Sequence, residues 1–220
     1  MQEKATEIQN LITVILADDH PTTRAGIRAI LNETPDIRVI GEAENGFQAQ
    51  EMVEKHRPKI LLLDLVMPGP TPAHLEKWVR TNFPETITLV LTAHDRDAYL
   101  ASMIDAGASG FLSKTETGER LISAIRRAVS GVPLFTEEQF ERALRWKQAA
   151  GEKWEILTNR EREIIRLLAE GYDNKKIAKK LAIAPKTTAF HVTNILKKLD
   201  VKSRHEAIAW VNKYLPDNLE

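Results

Sequence analysis

The chain has 220 residues, of which 43% are hydrophobic, and this excludes a largely disordered protein. It contains no cysteine, so a disulfide framework, a thiol nucleophile and a Cys-ligated zinc site are excluded. The formal net charge is zero, and the length suits two small domains better than one compact domain.

The start of the chain and its apolar runs bear on localisation. Residues 1–10 are polar and acidic, whereas a secretory signal would be basic and then apolar. Uninterrupted apolar runs such as Ile60 to Leu63 are far too short to cross a bilayer. We therefore expect a cytoplasmic protein with no membrane partner.

The first part of the chain alternates strand-like and helix-like segments. Short apolar runs predict five strands, at Thr13–Ala17, Ile37–Ile40, Lys59–Leu63, Thr88–Leu91 and Gly110–Leu112. Helix-like patterns lie near residues 21–32, 46–56, 73–82, 95–106 and 117–130. Apolar strands that are each followed by a helix are typical of a parallel sheet covered on both faces. We predict an α/β domain over residues 12–133, doubly wound around a five-stranded parallel sheet of the flavodoxin-like kind.

Polar side chains stand just after four of the predicted strands. They are Asp18, Asp19, Asp64, Thr92 and Lys114. Each residue alone is more often a helix cap or a solvated side chain. The carboxyl ends of parallel strands line one crevice, however, so we expect the five side chains to converge.

The predicted cluster has the composition of a phosphoryl-transfer site. Closely packed carboxylates need a cation, and oxygen ligands beside a phosphate suit Mg²⁺. A lysine and a threonine can hold phosphoryl oxygens by charge and hydrogen bond. Asp64 is the candidate acceptor, because the Met67-Pro68-Gly69 turn leaves its strand end exposed. The set predicts transfer of a phosphoryl group to Asp64, driven by positioning and electrostatics.

Residues 12–133 resemble the receiver domains of two-component response regulators. The matching segments are Ala17-Asp18-Asp19-His20, Leu63 to Gly69, Thr92-Ala93 and Gly107 to Lys114. The resemblance implies that a sensor histidine kinase phosphorylates Asp64. It also implies that Asp19, Asp64 and the carbonyl of Val66 bind Mg²⁺, with Asp18 acting through water.

The same resemblance implies a conformational switch and shows one departure. Thr92 and Phe111 match the switch pair of the family, and a plain core aromatic is the alternative interpretation of Phe111. Many receivers continue with Met-Asp-Gly after the Met67-Pro68-Gly69 turn, where this chain has Pro70-Thr71-Pro72-Ala73. Two prolines would stiffen this loop and affect kinase docking or the lifetime of the phosphoryl group.

The rest of the chain is predicted to be helical. Residues 134–152 form a polar segment that we interpret as a helical linker. Residues 153–220 contain only helical patterns, including a short helix near 174–181 and a longer one opened by Pro185. A short helix, a tight turn and a longer helix are typical of the helix-turn-helix, whose second helix enters the major groove. We predict an all-α, four-helix DNA-binding domain.

The distribution of charge favours DNA as the partner. Residues 153–220 carry 14 Lys and Arg against 9 Asp and Glu, net +5, whereas residues 1–133 carry 14 against 18, net −4. A helical projection of the longer helix and the lysines of the preceding helix select the candidate DNA contacts. These candidates are Lys175, Lys176, Lys186, Thr187, Ala189, Phe190, Thr193 and Lys197. Phe190 either touches a thymine methyl group or packs against its own domain.

Residues 155–214 resemble the LuxR-type DNA-binding domain, and the whole chain then looks like a response regulator of the NarL/FixJ class. The matching segments include Leu157 to Glu161, Ala169 to Tyr172, Asn174 to Ala178 and Val201 to Arg204. The class implies a transcription factor that binds double-stranded DNA as a homodimer once it is phosphorylated. Many members have a lysine where this chain has Ala189, which puts the usual contact at that position in doubt.

Two other functions are compatible with parts of the sequence. One is a phosphatase with an aspartyl-phosphate intermediate, but such haloacid-dehalogenase-like enzymes usually carry a second Asp where this chain has Val66. We therefore expect no enzyme. The other is a DNA-binding regulator whose receiver is switched by a ligand or a partner without phosphorylation, which the complete acidic pocket disfavours.

Overall fold

The computed structural model describes residues 11–214 and divides them into two compact units, residues 11–140 and 141–214. The boundary falls within the segment that the sequence assigns to a linker. Within the described range, no helix combines the length and the apolar character that a membrane span requires.

The first unit is built around a five-stranded sheet. The strands are β1 (Ile12–Ala17), β2 (Ile37–Ala43), β3 (Ile60–Leu63), β4 (Ile87–Thr92) and β5 (Gly110–Ser113). Their order is β2-β1-β3-β4-β5, and every neighbouring pair is parallel. This confirms the predicted doubly wound parallel sheet. The order reverses between β1 and β3, so the crevice of the fold lies at the carboxyl ends of these two strands.

Five helices connect and cover the strands. They are α1 (Pro21–Asn32), α2 (Gly46–His56), α3 (Pro72–Asn82), α4 (Asp97–Ala106) and α5 (Gly118–Val129). Leu31 from α1 and Leu121 and Ile125 from α5 pack with the sheet in one buried cluster. The strands β1 and β3 are almost completely buried, which explains their uninterrupted apolar sequences.

The strand β2 continues three residues beyond the predicted end at Ile40. A register shift between Val14 and Ile15 of β1 keeps the two strands paired past Gly41. A Cβ atom at Gly41 would lie 2.9 Å from the sulfur of Met52, so glycine permits the close packing of α2 on this strand. The prediction ended at Ile40 because it could not include this irregularity.

The regular elements of the second unit are all helices over its described residues, and the first of them begins four residues before the boundary. Helix α6 (Glu137–Trp146) continues through one π-turn (Lys147–Gly151) into the short α7 (Glu152–Glu155). Four further helices follow: α8 (Asn159–Ala169), α9 (Asn174–Lys180), α10 (Pro185–Leu199) and α11 (Arg204–Tyr214). Leu168, Ile177, Ile195 and Trp210 from these four helices share one buried core.

Local sequence signals account for the bounds of the helices in the second unit. Thr158 and Glu161 form a capping box at the start of α8, in which each side chain satisfies a backbone N–H of the other residue. The turn between α9 and α10 contains Ala182 in the left-handed region, with φ of 51°. Pro185 opens α10, where its missing N–H has no helical partner to lose. The predicted short helix, tight turn and longer helix are confirmed.

Candidate functional site

Sheet topology brings two buried carboxylates together at the crevice. Ala17 and Leu63 are register partners in the pairing of β1 with β3, so Asp18 and Asp64 leave the sheet side by side. The N–H of Asp64 donates to the Ala17 carbonyl at 2.9 Å, and the N–H of Asp18 donates to the Ala43 carbonyl at 3.0 Å. Backbone hydrogen bonds therefore fix both residues at the point where their strands end.

Lys114 bridges the two carboxylates. Its Nζ lies 2.8 Å from Asp18 Oδ2 and 2.6 Å from Asp64 Oδ2, while the two carboxylates are 1% and 3% exposed. Burial alone would lower the pKa of Lys114, but the hydrogen bonds to Asp18 and Asp64 together outweigh it and raise this pKa. The lysine is therefore cationic and fixed beside the candidate acceptor.

Asp19 and His20 extend the cluster toward solvent. One ligand atom from each of Asp18, Asp19, His20 and Asp64 lies within 4.8 Å of all the others. Asp19 Oδ1 is buried and has no hydrogen-bond partner among the described residues, although His20 Nδ1 stands 2.7 Å away. A buried carboxylate oxygen that makes no hydrogen bond, beside further carboxylates, fits the oxygen ligation that Mg²⁺ requires.

His20, whose side chain is 64% exposed at the rim of the cluster, was not among the predicted site residues. Its position directly after Asp18 and Asp19 is the signal that could have included it. Val66, which was predicted to offer its carbonyl, is half-buried two residues after Asp64. Its role as a ligand stays a prediction.

Thr92 and Phe111 lie on neighbouring strands beside Lys114. The Thr92 carbonyl accepts the N–H of Lys114 at 2.9 Å, and the Thr92 hydroxyl accepts the N–H of His94 at 3.1 Å. Phe111 is 4% exposed, and its carbonyl accepts a hydrogen bond from Gln139 Nε2 at 3.1 Å. Both interpretations of Phe111, a switch residue and a core aromatic, are compatible with this buried position.

The proline-containing departure from the receiver pattern is packed into the fold. The N–H of Gly46 donates to the Pro68 carbonyl at 2.8 Å, and a Cβ atom at Gly46 would lie 2.9 Å from Cδ of Pro70. Thr71 caps α3, which Pro72 then opens. The loop that follows Asp64 is therefore anchored on α2 and leads directly into a helix.

Arg24 is a supporting residue that the sequence analysis missed. It is 7% exposed, its Nη1 donates to the Asp18 carbonyl at 2.6 Å, and its Nη2 donates to Glu44 Oε1 at 2.8 Å. The guanidinium thus fixes the backbone that carries the acidic pair. Its place on the inner face of α1 was the available signal, because a buried arginine requires such partners.

The second candidate site is the outer face of α10. Thr188, Ile195 and Leu199 are fully buried and hold this helix in the core. The proposed contacts on the helix are all exposed: Lys186, Thr187, Ala189, Phe190, Thr193 and Lys197. Lys175 and Lys176 at the start of α9 are exposed too. The predicted residues therefore occupy accessible positions on the two helices of the helix-turn-helix.

Phe190 is 63% exposed and meets the ring of His191 edge-on, at a centroid distance of 6.0 Å. It is not part of the buried core of its unit, and its contact with a thymine methyl group stays a prediction. On a flank of α10, Lys198 Nζ lies 2.7 Å from Glu161 Oε2, and Glu161 is 3% exposed. This ion pair connects α10 to the capping box of α8.

Two families match the chain. The family described as "Response regulator receiver domain" matches residues 14–126, and that described as "Bacterial regulatory proteins, luxR family" matches residues 155–211. The chain is 36% identical to the oxygen regulatory protein NreC of Staphylococcus epidermidis, over 91% of this chain and 96% of the relative. It is 35% identical to the nitrate/nitrite response regulator NarL of Escherichia coli, over 93% of this chain and 97% of the relative.

Solved structures agree with the sequence relatives. The chain is similar to RcsB of Salmonella enterica serovar Typhimurium, bound to promoter rprA in the presence of the phosphomimetic BeF3-. The identity is 29%, the TM-score is 0.58, and the match covers 92% of this chain and 99% of that one. The signal receiver domain of NarL from Mycobacterium tuberculosis covers 56% of this chain at 34% identity, with a TM-score of 0.54.

Proposed function

The chain belongs to the two-component response regulators that join a receiver domain to a LuxR-family DNA-binding domain, and we propose that phosphorylation of Asp64 controls how it binds DNA. Residues 12–133 form the receiver, residues 134–152 the linker and residues 153–220 the DNA-binding domain. The observation that carries the proposal is the pairing of Asp18 and Asp64 with Lys114 at the crevice of the sheet.

The position of Asp64 favours its role as the acceptor. Its Oδ1 accepts the N–H of Leu65 at 2.7 Å and its Oδ2 faces Lys114, so the carboxylate is held in one orientation. One of its oxygens forms the new P–O bond while the bond between phosphorus and the donor breaks, and the donor keeps that electron pair. Lys114 then lies beside the phosphoryl oxygens and offsets their charge.

Asp18, Asp19 and Asp64 are the side chains that would hold Mg²⁺, with the Val66 carbonyl as a further ligand. When bound, the ion supplies positive charge to the phosphoryl oxygens during transfer. Lys114 alone pairs with only two of these carboxylates, Asp18 and Asp64. Asp19 Oδ1 is buried and makes no hydrogen bond among the described residues, which supports this assignment.

The DNA-binding half of the proposal rests on α9 and α10. Lys175 and Lys176, at the exposed start of α9, supply phosphate contacts, and the outer face of α10 enters the major groove. A sensor histidine kinase is the expected phosphoryl donor and a homodimer the expected active form. Two-fold symmetry then places the half-sites about one helical turn apart. We expect a cytoplasmic location, and a role as a regulator and not as an enzyme.

The proposal is tested with DNA fragments selected from a random library by the full-length chain. Gel-shift affinities are measured with Mg²⁺, with and without acetyl phosphate, for the native chain and for Asp64→Ala. The donor is expected to change the affinity of the native chain and to leave that of Asp64→Ala unaltered. Asp105→Ala, which removes an exposed aspartate of α4, is the control and should respond like the native chain.

Equal affinity of the native chain with and without the donor would overturn the phosphorylation switch. Retained DNA binding in that case would favour the second candidate function, a regulator switched by a ligand or a partner. Failure to select any DNA would overturn the DNA-binding half as well.

A further inference from the structure

The outer face of α10 is apolar at its centre and cationic at its two ends. Lys186 and Lys197 are both exposed and lie eleven residues apart, which is roughly 16 Å along the helix axis. Between them the exposed side chains on this face are Ala189, Phe190 and Thr193. We propose that these three side chains read thymine 5-methyl groups in the major groove, with Phe190 as the residue that determines specificity.

Two of the three central side chains, Ala189 and Phe190, cannot make the polar contacts that distinguish guanine or adenine. Guanine is read by the paired donors of Arg or Lys, and adenine by the amide of Asn or Gln. Alanine and phenylalanine have no polar side-chain atom. The Thr193 hydroxyl donates to the Ala189 carbonyl at 3.1 Å, so its hydrogen is used within the helix and its methyl group remains for apolar contact.

Phe190 is the largest apolar surface on this face. A phenylalanine that is 63% exposed loses hydration on contact with an apolar partner, and in the major groove the thymine methyl group is that partner. The flanking lysines favour a polyanion as the ligand of this face, because they can reach phosphates on both sides of the groove. The lysines at the ends of the face and the apolar side chains at its centre can therefore contact the same ligand, double-stranded DNA.

The inference rests on the proposed function, since it requires that α10 enters the major groove. It adds a sequence preference: thymine, or 5-methylcytosine, which carries the same methyl group at the same ring position, opposite Phe190. Apolar contact with one methyl group is expected to contribute about a three- to fivefold change in affinity.

The test removes the 5-methyl group from one thymine of the DNA at a time. A fragment selected by the full-length chain is resynthesised with deoxyuridine in place of thymidine at each position in turn, and gel-shift affinities are compared. At one or two positions in each half-site, loss of the methyl group should weaken binding about three- to fivefold. The same replacement outside the half-sites is the control and should have no effect. Cytosine placed at a sensitive position should bind better when it is 5-methylated.

The variant Phe190→Ala tests whether Phe190 causes the sensitivity of binding to deoxyuridine. Because Phe190 is exposed, the variant should fold, bind natural DNA more weakly and lose its sensitivity to deoxyuridine. Lys186→Ala should weaken binding but keep that sensitivity. DNA binding that is indifferent to deoxyuridine at every position would overturn the inference and leave the proposed function intact. An altered oligomeric state of Phe190→Ala, with unchanged deoxyuridine sensitivity, would also overturn it, since Phe190 would then be a contact between protein chains.

Discussion

Replacing Glu76 by glutamine should stabilise the receiver at neutral and higher pH. Glu76 lies on α3 with 2% of its surface exposed, and its Oε2 has no hydrogen-bond partner among the described residues. Burial raises the pKa of this carboxyl from its usual 4.5 to about 7, and nearby Thr88 and Arg80 lower the pKa only in part. The folded receiver therefore favours the protonated, neutral form.

The sign and size of the effect follow from the two pKa values. Because the folded state holds the proton more tightly, the stabilisation is complete below pH 4.5 and is lost as the pH rises through about 7. At roughly 1.4 kcal/mol for each pH unit, the gap corresponds to about 3 kcal/mol of unfolding free energy. Glutamine does not ionise. The stability of Glu76→Gln relative to the native chain should therefore increase by about 3 kcal/mol across this interval.

The assay is urea unfolding of the full chain at several pH values. Pulse-labelling hydrogen exchange of the β3 and β4 amides reports the receiver separately from the second unit. Glu85→Gln removes an exposed carboxylate just before β4, and this control should track the native chain at every pH. A stability difference between Glu76→Gln and the native chain that stays constant with pH would refute the reasoning, because Glu76 would then ionise alike in both states.

Two further results are expected from the second unit. Lys198→Met removes the partner of the buried Glu161 and should lower the unfolding free energy of this unit by about 1–3 kcal/mol, measured by thermal unfolding. Lys197→Met, a neighbouring exposed lysine, should leave stability unchanged, and equal losses in both variants would contradict the role of the ion pair. Lys186→Ala should weaken binding to all DNA sequences alike and reduce the slope of log affinity against log salt by about one. An unaltered slope would remove Lys186 from the interface.

The architecture was predictable where local signals and burial agree. The runs that form β1 and β3 are apolar without interruption because both faces of these strands are covered. Proline at the start of α10 and a capping box at the start of α8 mark helix bounds in the sequence itself. The extension of β2 past Gly41 follows an irregularity at Ile40, which has no register partner in β1. This is a property of the strand pair that neither segment reveals alone.

The convergence of the acidic residues also followed from topology, since they stand at the ends of adjacent parallel strands. The individual contacts between carboxylate oxygens and donors could not be predicted in this way, because they depend on side-chain rotamers. The bridging of Asp18 and Asp64 by Lys114 and the support from Arg24 are contacts of this kind. Glu76 was missed for a related reason: a single carboxylate in an amphipathic helix is usually solvated, and only packing shows that this one is buried.

The central claim is that Asp64 accepts a phosphoryl group at a site that requires a divalent cation. Intact-mass spectrometry of the full chain with acetyl phosphate, followed by peptide mapping, measures this directly. With Mg²⁺, the native chain and Asp105→Asn should each gain the mass of one phosphoryl group, mapped to Asp64 in the native chain. Asp64→Asn, or the native chain with a chelator, should gain none. A phosphoryl group on another residue, or equal incorporation in the chelated sample, would contradict the account.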